Sequence, residues 1–421
     1  MKLMLVCNAG MSTSMLVSKI ESAAKEQGIE LEVAAFPLTQ AEKVIDDWDV
    51  VMLGPQVRHC LPQLKKATDK TPIEVIDMRD YGLMNGANVL KKALEKAKAK
   101  GYTLMVNPEC EFFLFHTDDN GMPTTTTHEK AGYMDLSPID LGENARRDMV
   151  LTLEEMGYDI ESSHHEIAPG QHEIDFEYSE AMETADKVMT FKTAVRTIAK
   201  RHGLHATFMP KPRAGVNGSG MHVNMMLMKD GKNVFTDKND ELGLSKEAYQ
   251  FMAGIFAHIK GMTAICNPLV NSYKRLAPGF EAPSDITWSS RQRTALIRVP
   301  QNVEGGTRLE LRSPDASSNP YLVLALCLEA GLDGIEKQME LSPELKRSIR
   351  KLNKKEKEEM GINSLPENLN DALNEFHADE LVKEVLGKDF TKYYLKAKKE
   401  EWLEYMEQVS EWELEQYLYR V

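Results

Sequence analysis

Short apolar runs alternate with amphipathic segments through about the first hundred residues of the chain. Four of the apolar runs have the length and the bounding turn residues of strands: 2–6, 29–36, 50–53 and 73–76. Segments with helical periodicity stand between and after them, at 11–27, 39–46, 61–68 and 87–100. This alternation predicts a small, doubly wound parallel sheet of four strands, which would bind ligands at the carboxyl ends of its strands.

Beyond residue 101 the pattern changes to short strands and longer helices, which is typical of an α+β domain. The helix at 87–100 runs into the next strand without a proline-rich or serine-rich linker. We therefore predict two domains, 1–101 and 102–421, with the boundary at the end of that helix. Residues 343–421 are rich in lysine and glutamate and are predicted to form solvated helices, with Trp402 and Trp412 packed inward.

Composition and charge exclude several classes of partner. The chain has 51 basic and 65 acidic residues and a net charge of −14, which argues against nucleic acid or an anionic membrane surface. Its best apolar run, 322–328, is far shorter than a membrane span, and the apolar start of the chain is too short for a signal peptide. The five cysteines include no Cys-x-x-Cys pair, as is typical of a reducing compartment. We expect a cytoplasmic protein with no direct membrane insertion.

The first candidate site is the stretch CNAGMSTS, which follows the first predicted strand. Cys7 ends that strand, Gly10 permits a tight loop, and hydroxyl and backbone N–H groups then open a helix. An anion cradle of this kind lowers the pKa of a thiol and makes it a nucleophile, and a buried structural cysteine before an ordinary helix cap is the alternative. Thr13 stands where a Cys-x5-Arg phosphatase loop carries arginine, so the pattern favours a phosphate carrier over a hydrolase. The predicted phosphate loop consists of Asn8, Ala9, Gly10, Met11, Ser12, Thr13 and Ser14.

The loop and two later segments carry a family resemblance. CNAGMSTSMLVSKI at 7–20, VVMLGPQVRHCLPQLKK at 50–66 and PIEVIDMRDYG at 72–82 resemble the IIB component of the lactose/cellobiose branch of the sugar phosphotransferase system. The resemblance implies that Cys7 takes phosphate from a phosphohistidine on a IIA partner. It also implies that the phosphate passes to a sugar bound by a membrane IIC partner.

The second candidate site begins with VNPECEFFLFH at 106–116. Side chains two apart on a strand share a face, so Glu109 and Glu111 are predicted to point the same way inside a core-forming segment. Two like charges there are costly unless a cation binds them. The spacing alone leaves two interpretations open, a cation site and a solvated acidic pair at the start of a strand.

Downstream patterns favour the cation site. The stretch 161–176 carries Glu166 and Glu173 on either side of an Ala-Pro-Gly turn signal that can bring both carboxylates together. The stretch 210–224 places a loop of glycines before His222. Arginines also crowd within 275–312 and suit phosphate and carboxylate substrates, although structural ion pairing is the alternative for any one of them. These arginines are Arg275, Arg293, Arg298, Arg308 and Arg312.

Residues from about 88 to the C-terminus resemble bacterial type I glutamine synthetase, with these motifs in the same order. The resemblance implies an antiparallel active-site sheet with helices, a homo-oligomer, and a ligase that joins ammonia to glutamate at the expense of ATP. It also implies two Mg²⁺ or Mn²⁺ ions per site, which suits hard oxygen ligands with one imidazole. One ion would be held by Glu111, Glu166 and Glu173, and the other by Glu109, His222 and Glu310.

The same resemblance assigns roles to further residues. Glutamate would be bound by Asn217, Gly218, Arg275 and Arg312. ATP and the transferred phosphoryl group would be bound by Glu161, Asn224, Arg293, Arg298 and Arg308, with Arg293 also catalytic. Glu281 would be the flap residue that closes over the intermediate and receives a proton from ammonium.

The chain departs from the family at its front end and around the nucleotide. The family's N-terminal β-grasp domain, which completes a neighbouring subunit's site, is replaced by the IIB-like domain, and Met226 and residues 301–304 differ from the usual pattern. Three hypotheses follow. In the first, the chain is a ligase that carries a phosphocarrier domain and is weakened by the lost half-site. In the second, it is a phosphoryl carrier that acts through Cys7, and the synthetase domain is an inactive scaffold or sensor. In the third, it is a non-natural chimera.

Overall fold

The computed structural model describes residues 2–7, 31–37, 41, 43–53, 60–68, 70–75, 78–127, 129–300 and 306–420. The chain divides into two compact units, Met1–Gly86 and Ala87–Val421. Among the helices of the described residues, none has both the length and the apolar content needed to cross a bilayer.

The first unit is built on a parallel sheet, as predicted. Its strands are β1 Lys2–Cys7, β2 Glu32–Pro37, β3 Val50–Leu53 and β4 Ile73–Val75. They lie in the order β2-β1-β3-β4, and every neighbouring pair is parallel. Met4 and Val6 belong to one core cluster, whereas Leu3 and Leu5 belong to another. Because successive side chains of a strand point to opposite faces, β1 is buried on both faces of the sheet.

The carboxyl end of β1 is Cys7, which pairs with Pro37 of β2. The predicted phosphate loop at 8–14 and the whole of the predicted helix at 11–27 lie outside the described residues. The helical segment predicted at 39–46 contains a 3-10 turn, Ile45–Asp47, which extends one residue beyond it. The segment predicted at 61–68 contains the short helix α1, Leu61–Leu64.

A single helix, α2 Met78–Ala99, contains the division between the units. Its second half buries Val89, Leu90, Ala93 and Ala97, whose spacing of three to four residues forms one helix face. Lys96 Nζ also lies 3.1 Å from Glu329 Oε1 in the second unit. The second unit therefore begins inside the helix, earlier than the predicted boundary at its end near residue 101.

The second unit contains a large, mostly antiparallel sheet that the structure describes as 11-stranded. Its main order is β10-β6-β8-β5-β11-β15-β14-β13, with β7, β9 and β12 paired beside this path. The strands are β5 Tyr102–Cys110, β6 Phe112–His116, β7 Ile160–His165, β8 Gln171–Phe176, β9 Ser179–Glu180, β10 Leu204–Thr207, β11 Met221–Lys229, β12 Lys232–Asn233, β13 Trp288–Ser289, β14 Ile297–Arg298 and β15 Leu309–Leu311.

Long helices complete this unit and confirm the predicted α+β class. They are α3 Glu143–Glu155, α4 Ala181–Arg201, α5 Lys246–Cys266, α6 Ser272–Arg275, α7 Pro320–Glu336, α8 Lys354–Glu359, α9 Leu369–Ala378, α10 Glu380–Leu386, α11 Lys388–Met406 and α12 Glu411–Tyr417, with a 3-10 turn at Ile349–Lys351. The Ser245 hydroxyl caps α5 by accepting a hydrogen bond from the Ala248 amide at 3.1 Å. Helices α5 and α7 approach closely, because a Cβ on Gly254 would lie 2.0 Å from the Ala330 carbonyl oxygen.

The C-terminal helices differ from the prediction in one respect. Trp412 was predicted to pack inward, and this is wrong: its side chain is 59% exposed. The reason is that α12 contains no buried residue, so it offers the indole no core. Trp402 of α11 is half-buried.

His258 of α5 links this helix to two other segments. Its Nδ1 lies 2.9 Å from Asp379 Oδ2, and its Nε2 lies 3.1 Å from Asp333 Oδ2. The hydrogen bond to Asp379 raises the pKa of His258 and, with help from Asp333, outweighs the opposing effect of burial. A histidine pKa raised by folding stabilises the native state below the unfolded pKa, and this contribution is lost as pH rises through the folded pKa.

We expect His258→Gln to lower the free energy of unfolding by about 1 to 2 kcal/mol near pH 6, and by much less near pH 9. Urea unfolding at the two pH values measures this difference. His377→Gln, which changes an exposed histidine of α9, is the control and should cost little at either pH. An equal cost of His258→Gln at both pH values would show that the charge of the imidazole is not what links these helices.

Candidate active site

Two carboxylates at the junction of β5 and β6 flank one imidazole. Glu109 pairs with His222 across β5 and β11, and Glu109 Oε2 lies 2.8 Å from His222 Nδ1. Glu111 occupies the break between β5 and β6, and its Oε1 lies 4.0 Å from His222 Nε2. The predicted strand at 106–116 is therefore broken at Glu111, but both carboxylates reach the same place, as their spacing predicts.

The turn between β7 and β8 gathers a second group. The Gln171 amide donates to the Ala168 carbonyl at 2.9 Å, and Gly170 adopts a φ of +74°, which favours glycine. The hairpin brings ligand atoms of His164, Glu166 and Glu173 within 4.8 Å of one another. The Ala-Pro-Gly signal thus predicts the meeting of the two glutamates correctly.

A third strand completes the first group. Glu310 on β15 lies opposite Asn224 on β11, and ligand atoms of Glu109, His222 and Glu310 lie within 4.8 Å of one another. The Glu310 side chain is fully buried and accepts hydrogen bonds from Arg298 Nε and Arg312 Nη1. This cluster has the same three members that the sequence predicts for one metal ion.

Glu111 is placed differently from its predicted partners. Its Oε2 accepts hydrogen bonds from Gln171 Nε2 at 2.9 Å and from the Gly220 amide at 2.8 Å. The compact cluster consists of His164, Glu166 and Glu173, without Glu111. All three glutamates nevertheless line the same cleft.

This cleft also contains all four residues predicted to bind glutamate and several of those predicted for catalysis and ATP binding. Seven of them line it: Asn217, Gly218, Arg275, Glu281, Arg293, Arg298 and Arg312.

Three residues predicted to serve ATP do not line the cleft. Asn224 donates from Nδ2 to Glu109 Oε1 at 2.8 Å and so lies directly behind a lining carboxylate. Glu161 accepts a hydrogen bond from Asn107, and Arg308 Nη1 lies 4.0 Å from Glu161 Oε1. Residues 301–304, which differ from the usual family pattern, lie outside the described residues.

Six lining residues were missed in the sequence: Tyr133, His164, Gln171, Asp175, Phe280 and Ala282. A signal existed for two of them. Gln171, Glu173 and Asp175 alternate along β8, so they face the same side of the sheet. Tyr133 carries no comparable local pattern, and it enters the cleft from a loop beside Arg293, whose guanidinium lies 5.4 Å from its ring centroid.

The carboxylates of the cleft are crowded and poorly neutralised. Burial, followed by the charge of a neighbouring carboxylate, raises the pKa of Glu111 to about 8 and that of Asp175 to about 8. The same causes raise the pKa of Glu173 well above its usual value. Burial also opposes ionisation of Glu109, but its hydrogen bond with His222 helps to outweigh burial and lowers the pKa of Glu109.

Divalent cations fit this donor set. Each cluster offers carboxylate oxygens and an imidazole, which are ligands suited to hard divalent ions. Bound cations would also supply the positive charge that the crowded carboxylates lack.

Arginines line the same cleft as the carboxylates. Arg275 is 2% exposed and donates to the carbonyl oxygens of Ser313 at 2.7 Å and Arg312 at 3.0 Å. Its guanidinium lines the cleft next to Arg312, which is also buried. One cleft therefore presents metal-binding carboxylates beside fixed guanidinium groups that suit anionic substrates.

Residues 86–417 match the family model described as "Glutamine synthetase, catalytic domain". The chain belongs to the glutamine synthetase family. Residues 2–92 match the model described as "PTS system, Lactose/Cellobiose specific IIB subunit". The two matches confirm both resemblances seen in the sequence, and they make the second unit a ligase unit of the glutamine synthetase type.

Individual relatives agree with this assignment. A glutamine synthetase of Clostridium saccharobutylicum is 60% identical over 331 residues, which cover 79% of this chain and 75% of that protein. A glutamine synthetase of Staphylococcus aureus (strain MW2) is 51% identical over 330 residues, which cover 78% of this chain and 74% of that protein.

Solved structures share the fold. The structure titled "GmaS/ADP complex-Conformation 1" has a TM-score of 0.72 and 36% identity, and the match covers 79% of this chain and 77% of that chain. The glutamine synthetase of Plasmodium falciparum has a TM-score of 0.68 and 26% identity, with 79% and 78% covered. These similarities confirm the predicted fold class of the second unit.

Proposed function

We propose that the Ala87–Val421 unit uses ATP to join glutamate and ammonia into glutamine. The proposal depends most on one observation: two carboxylate and imidazole clusters share a cleft with buried arginines. An acidic group of this kind suits divalent cations, and the arginines suit the carboxylates of glutamate and the phosphates of ATP. The family assignment supports the same reaction class.

The proposed metal ligands divide as the sequence resemblance implies. Glu111, Glu166 and Glu173 would hold one Mg²⁺ or Mn²⁺ ion, with His164 beside them. The other ion would be held by Glu109, His222 and Glu310. When bound, the ions would neutralise charge on the phosphoryl group during its transfer.

The arginines and the neighbouring loop would orient the substrates. Arg275, Arg312, Asn217 and Gly218 would bind glutamate, because all four line the cleft and the two guanidinium groups are buried. Arg293 and Arg298 would bind ATP and the phosphoryl group, together with Arg308, Asn224 and Glu161 next to the cleft. The Glu310 carboxylate holds Arg298 and Arg312, so it would also orient the basic side of the cleft.

The reaction would proceed in two balanced steps. A γ-carboxylate oxygen of glutamate forms a bond to the γ-phosphorus of ATP as the bond from that phosphorus to ADP breaks. The nitrogen of ammonia then forms a bond to the acyl carbon, phosphate leaves with the former carboxylate oxygen, and the nitrogen gives one proton to the departing phosphate. Glu281, which lines the cleft, would accept the proton that ammonium must lose before its nitrogen can attack.

Formation of γ-glutamyl hydroxamate from glutamate, ATP and hydroxylamine tests this proposal in the full-length protein. Hydroxylamine is neutral near pH 7.5, so the assay reports phosphoryl transfer separately from the deprotonation of ammonium. We expect product with Mg²⁺ or Mn²⁺, and a rate at least about 100-fold lower in Glu310→Gln. Glu336→Gln, which changes a half-exposed glutamate, should behave like the parent.

Two outcomes separate the alternatives. Hydroxamate without glutamine from ammonia would mean that phosphoryl transfer works but ammonium is not deprotonated. A folded protein that binds Mn²⁺ and forms neither product would contradict the ligase proposal and favour a scaffold or sensor role for this unit.

We propose a second function for the first unit, phosphoryl transfer through Cys7. The match of residues 2–92 to the IIB family supports it, and so does the position of Cys7 at the carboxyl end of β1, where ligands of parallel sheets bind. Its partners would be a IIA-type phosphohistidine protein and a IIC-type sugar transporter.

A further inference from the structure

Lys211 is a buried lysine at the edge of the cleft. Its backbone is fixed, because its amide donates to Asn271 Oδ1 at 2.8 Å and its carbonyl accepts from Asn271 Nδ2 at 3.0 Å. The residue is only 8% exposed. The Lys211 side chain therefore extends from a backbone that Asn271 holds in place, and the surrounding protein encloses most of it.

The Lys211 ammonium contacts two loops of the active site. It donates a hydrogen bond to the carbonyl oxygen of Val216, the residue before Asn217 and Gly218. It also lies 3.4 Å from the centroid of the Phe280 ring, the closest cation–ring contact in the part of the chain that the structure describes. Phe280 lines the cleft and immediately precedes Glu281. One positive charge thus connects the loop proposed to bind glutamate with the flap that carries Glu281.

Holding an ammonium group here has a cost. Burial, followed by the charge of Arg275, lowers the pKa of Lys211 to about 8. A methionine would fill a similar volume without this cost, so packing alone does not account for a lysine at this position. The contacts to the carbonyl and to the ring do account for it, because both require a cation or a donor.

The flap is held at Phe280, and the residue just before it has open space around it. Arg350 Nη2 donates to the Phe280 carbonyl oxygen at 2.5 Å, so both the ring and the backbone of this residue are bound. Gly279 adopts a φ of +108°, and a Cβ there would meet nothing within 4 Å. Because Gly279 is not packed against other residues and Phe280 is held through both its ring and its carbonyl, Phe280 is the position that sets where Glu281 lies.

We propose that Lys211 is a positioning residue that couples the glutamate-binding loop to the flap, by holding Phe280 so that Glu281 stands over the cleft. The inference rests on the proposed function of this unit. It assigns Lys211 no contact with the reacting atoms.

Hydrogen exchange of the flap tests the coupling without any need for turnover. In Lys211→Met, the amides at 279–282 should exchange about tenfold faster than in the parent, and glutamate with Mn²⁺ should no longer slow them. Lys211→Arg keeps a cation that can stack on the ring, so it should restore most of the protection. Lys274→Met is the matched control, because Lys274 is an exposed lysine 5.7 Å from the ring of Tyr405.

Turnover supplies a second readout. Because ammonium must give a proton to Glu281 before its nitrogen can attack, whereas hydroxylamine attacks in its neutral form, Lys211→Met should lower the ammonia-dependent rate about tenfold more than the hydroxylamine-dependent rate. A general loss of folding would lower both rates equally. Inactivity of the parent would refute the ligase proposal, and the exchange experiment would still decide the role of Lys211.

Phe280→Leu tests the same contact from the other side, so the proposal can still be decided if a Lys211 variant fails to fold. It removes the ring and should reproduce the faster flap exchange, and adding Lys211→Met to it should change the exchange little further. Parent-like flap exchange in either Lys211→Met or Phe280→Leu would overturn the proposal. So would a Lys211→Arg variant as impaired as Lys211→Met.

Discussion

Glu173→Gln should remove the part of the Mn²⁺ response that comes from one of the two proposed ions and, at the same time, stabilise the metal-free protein. Glu173 is 4% exposed, and burial followed by the charge of Asp175 raises its pKa well above the usual value. A carboxyl pKa raised by folding means that the native state loses stability as pH rises above the unfolded pKa. Glutamine keeps the shape of the side chain and removes the charge, so near pH 7.5 the variant should gain about 1 kcal/mol.

The metal response should change in the opposite direction. Mn²⁺ at about 100 times its Kd should stabilise the parent by about 2.7 kcal/mol for each site that it fills, because it binds the native state alone. Glu173→Gln should lose the contribution of its own site and keep that of the site formed by Glu109, His222 and Glu310, and its hydroxamate rate should fall at least about 100-fold. Thermal unfolding with and without Mn²⁺ measures both effects.

Glu155→Gln is the matched control, because Glu155 is exposed at the end of α3. It should leave the metal-free stability and the Mn²⁺ shift unchanged. A Glu173→Gln variant that still responds to Mn²⁺ like the parent would show that this carboxylate is not a ligand. A loss of metal-free stability would contradict the crowding of charge in the cleft.

Cys7→Ser should abolish phosphorylation of the first unit by a phosphorylated IIA protein. In the proposed transfer, the sulfur of Cys7 forms a bond to phosphorus as the bond from phosphorus to the histidine nitrogen breaks. A serine hydroxyl is far less ionised than a thiol near neutral pH and is a much weaker nucleophile. Incubation with radiolabelled phospho-IIA, followed by gel separation, measures the label retained by the chain.

Cys60→Ser provides the matched control within the same unit. Cys60 is a buried free cysteine and belongs to the core cluster around Val6 and Leu53. Its replacement should leave the label in place. Label that persists in Cys7→Ser, or that disappears in Cys60→Ser while the protein stays folded, would contradict the assignment of Cys7 as the carrier.

Local chemistry made much of the site predictable from the chain. Alternation along a strand predicted that Glu109 and Glu111 reach the same place, and the turn at 168–170 predicted that Glu166 meets Glu173. The same alternation could have identified Gln171 and Asp175. Turn residues and the period of a strand act over a few neighbours, so the order of residues is enough to predict their effect.

Other features depend on contacts between distant segments. The division of the chain inside α2 follows from the packing of one helix face and from the pair Lys96 and Glu329, and the charges of the helix do not reveal it. The exposure of Trp412 follows from the absence of a buried residue in α12. The link from Lys211 to Phe280 joins two loops whose sequences carry no sign of each other.

The order of residues was sufficient to predict both fold classes and both family resemblances, which the matches confirm, and it supplied most of the candidate ligands that line the cleft. It did not establish how these ligands are grouped. Glu109, His222 and Glu310 meet because β11 lies between β5 and β15, and Gln171 draws Glu111 out of the compact cluster that His164 joins. Such groupings arise from pairing between strands that are far apart in the chain, where many alternative pairings satisfy the same local pattern and only the packed sheet selects one.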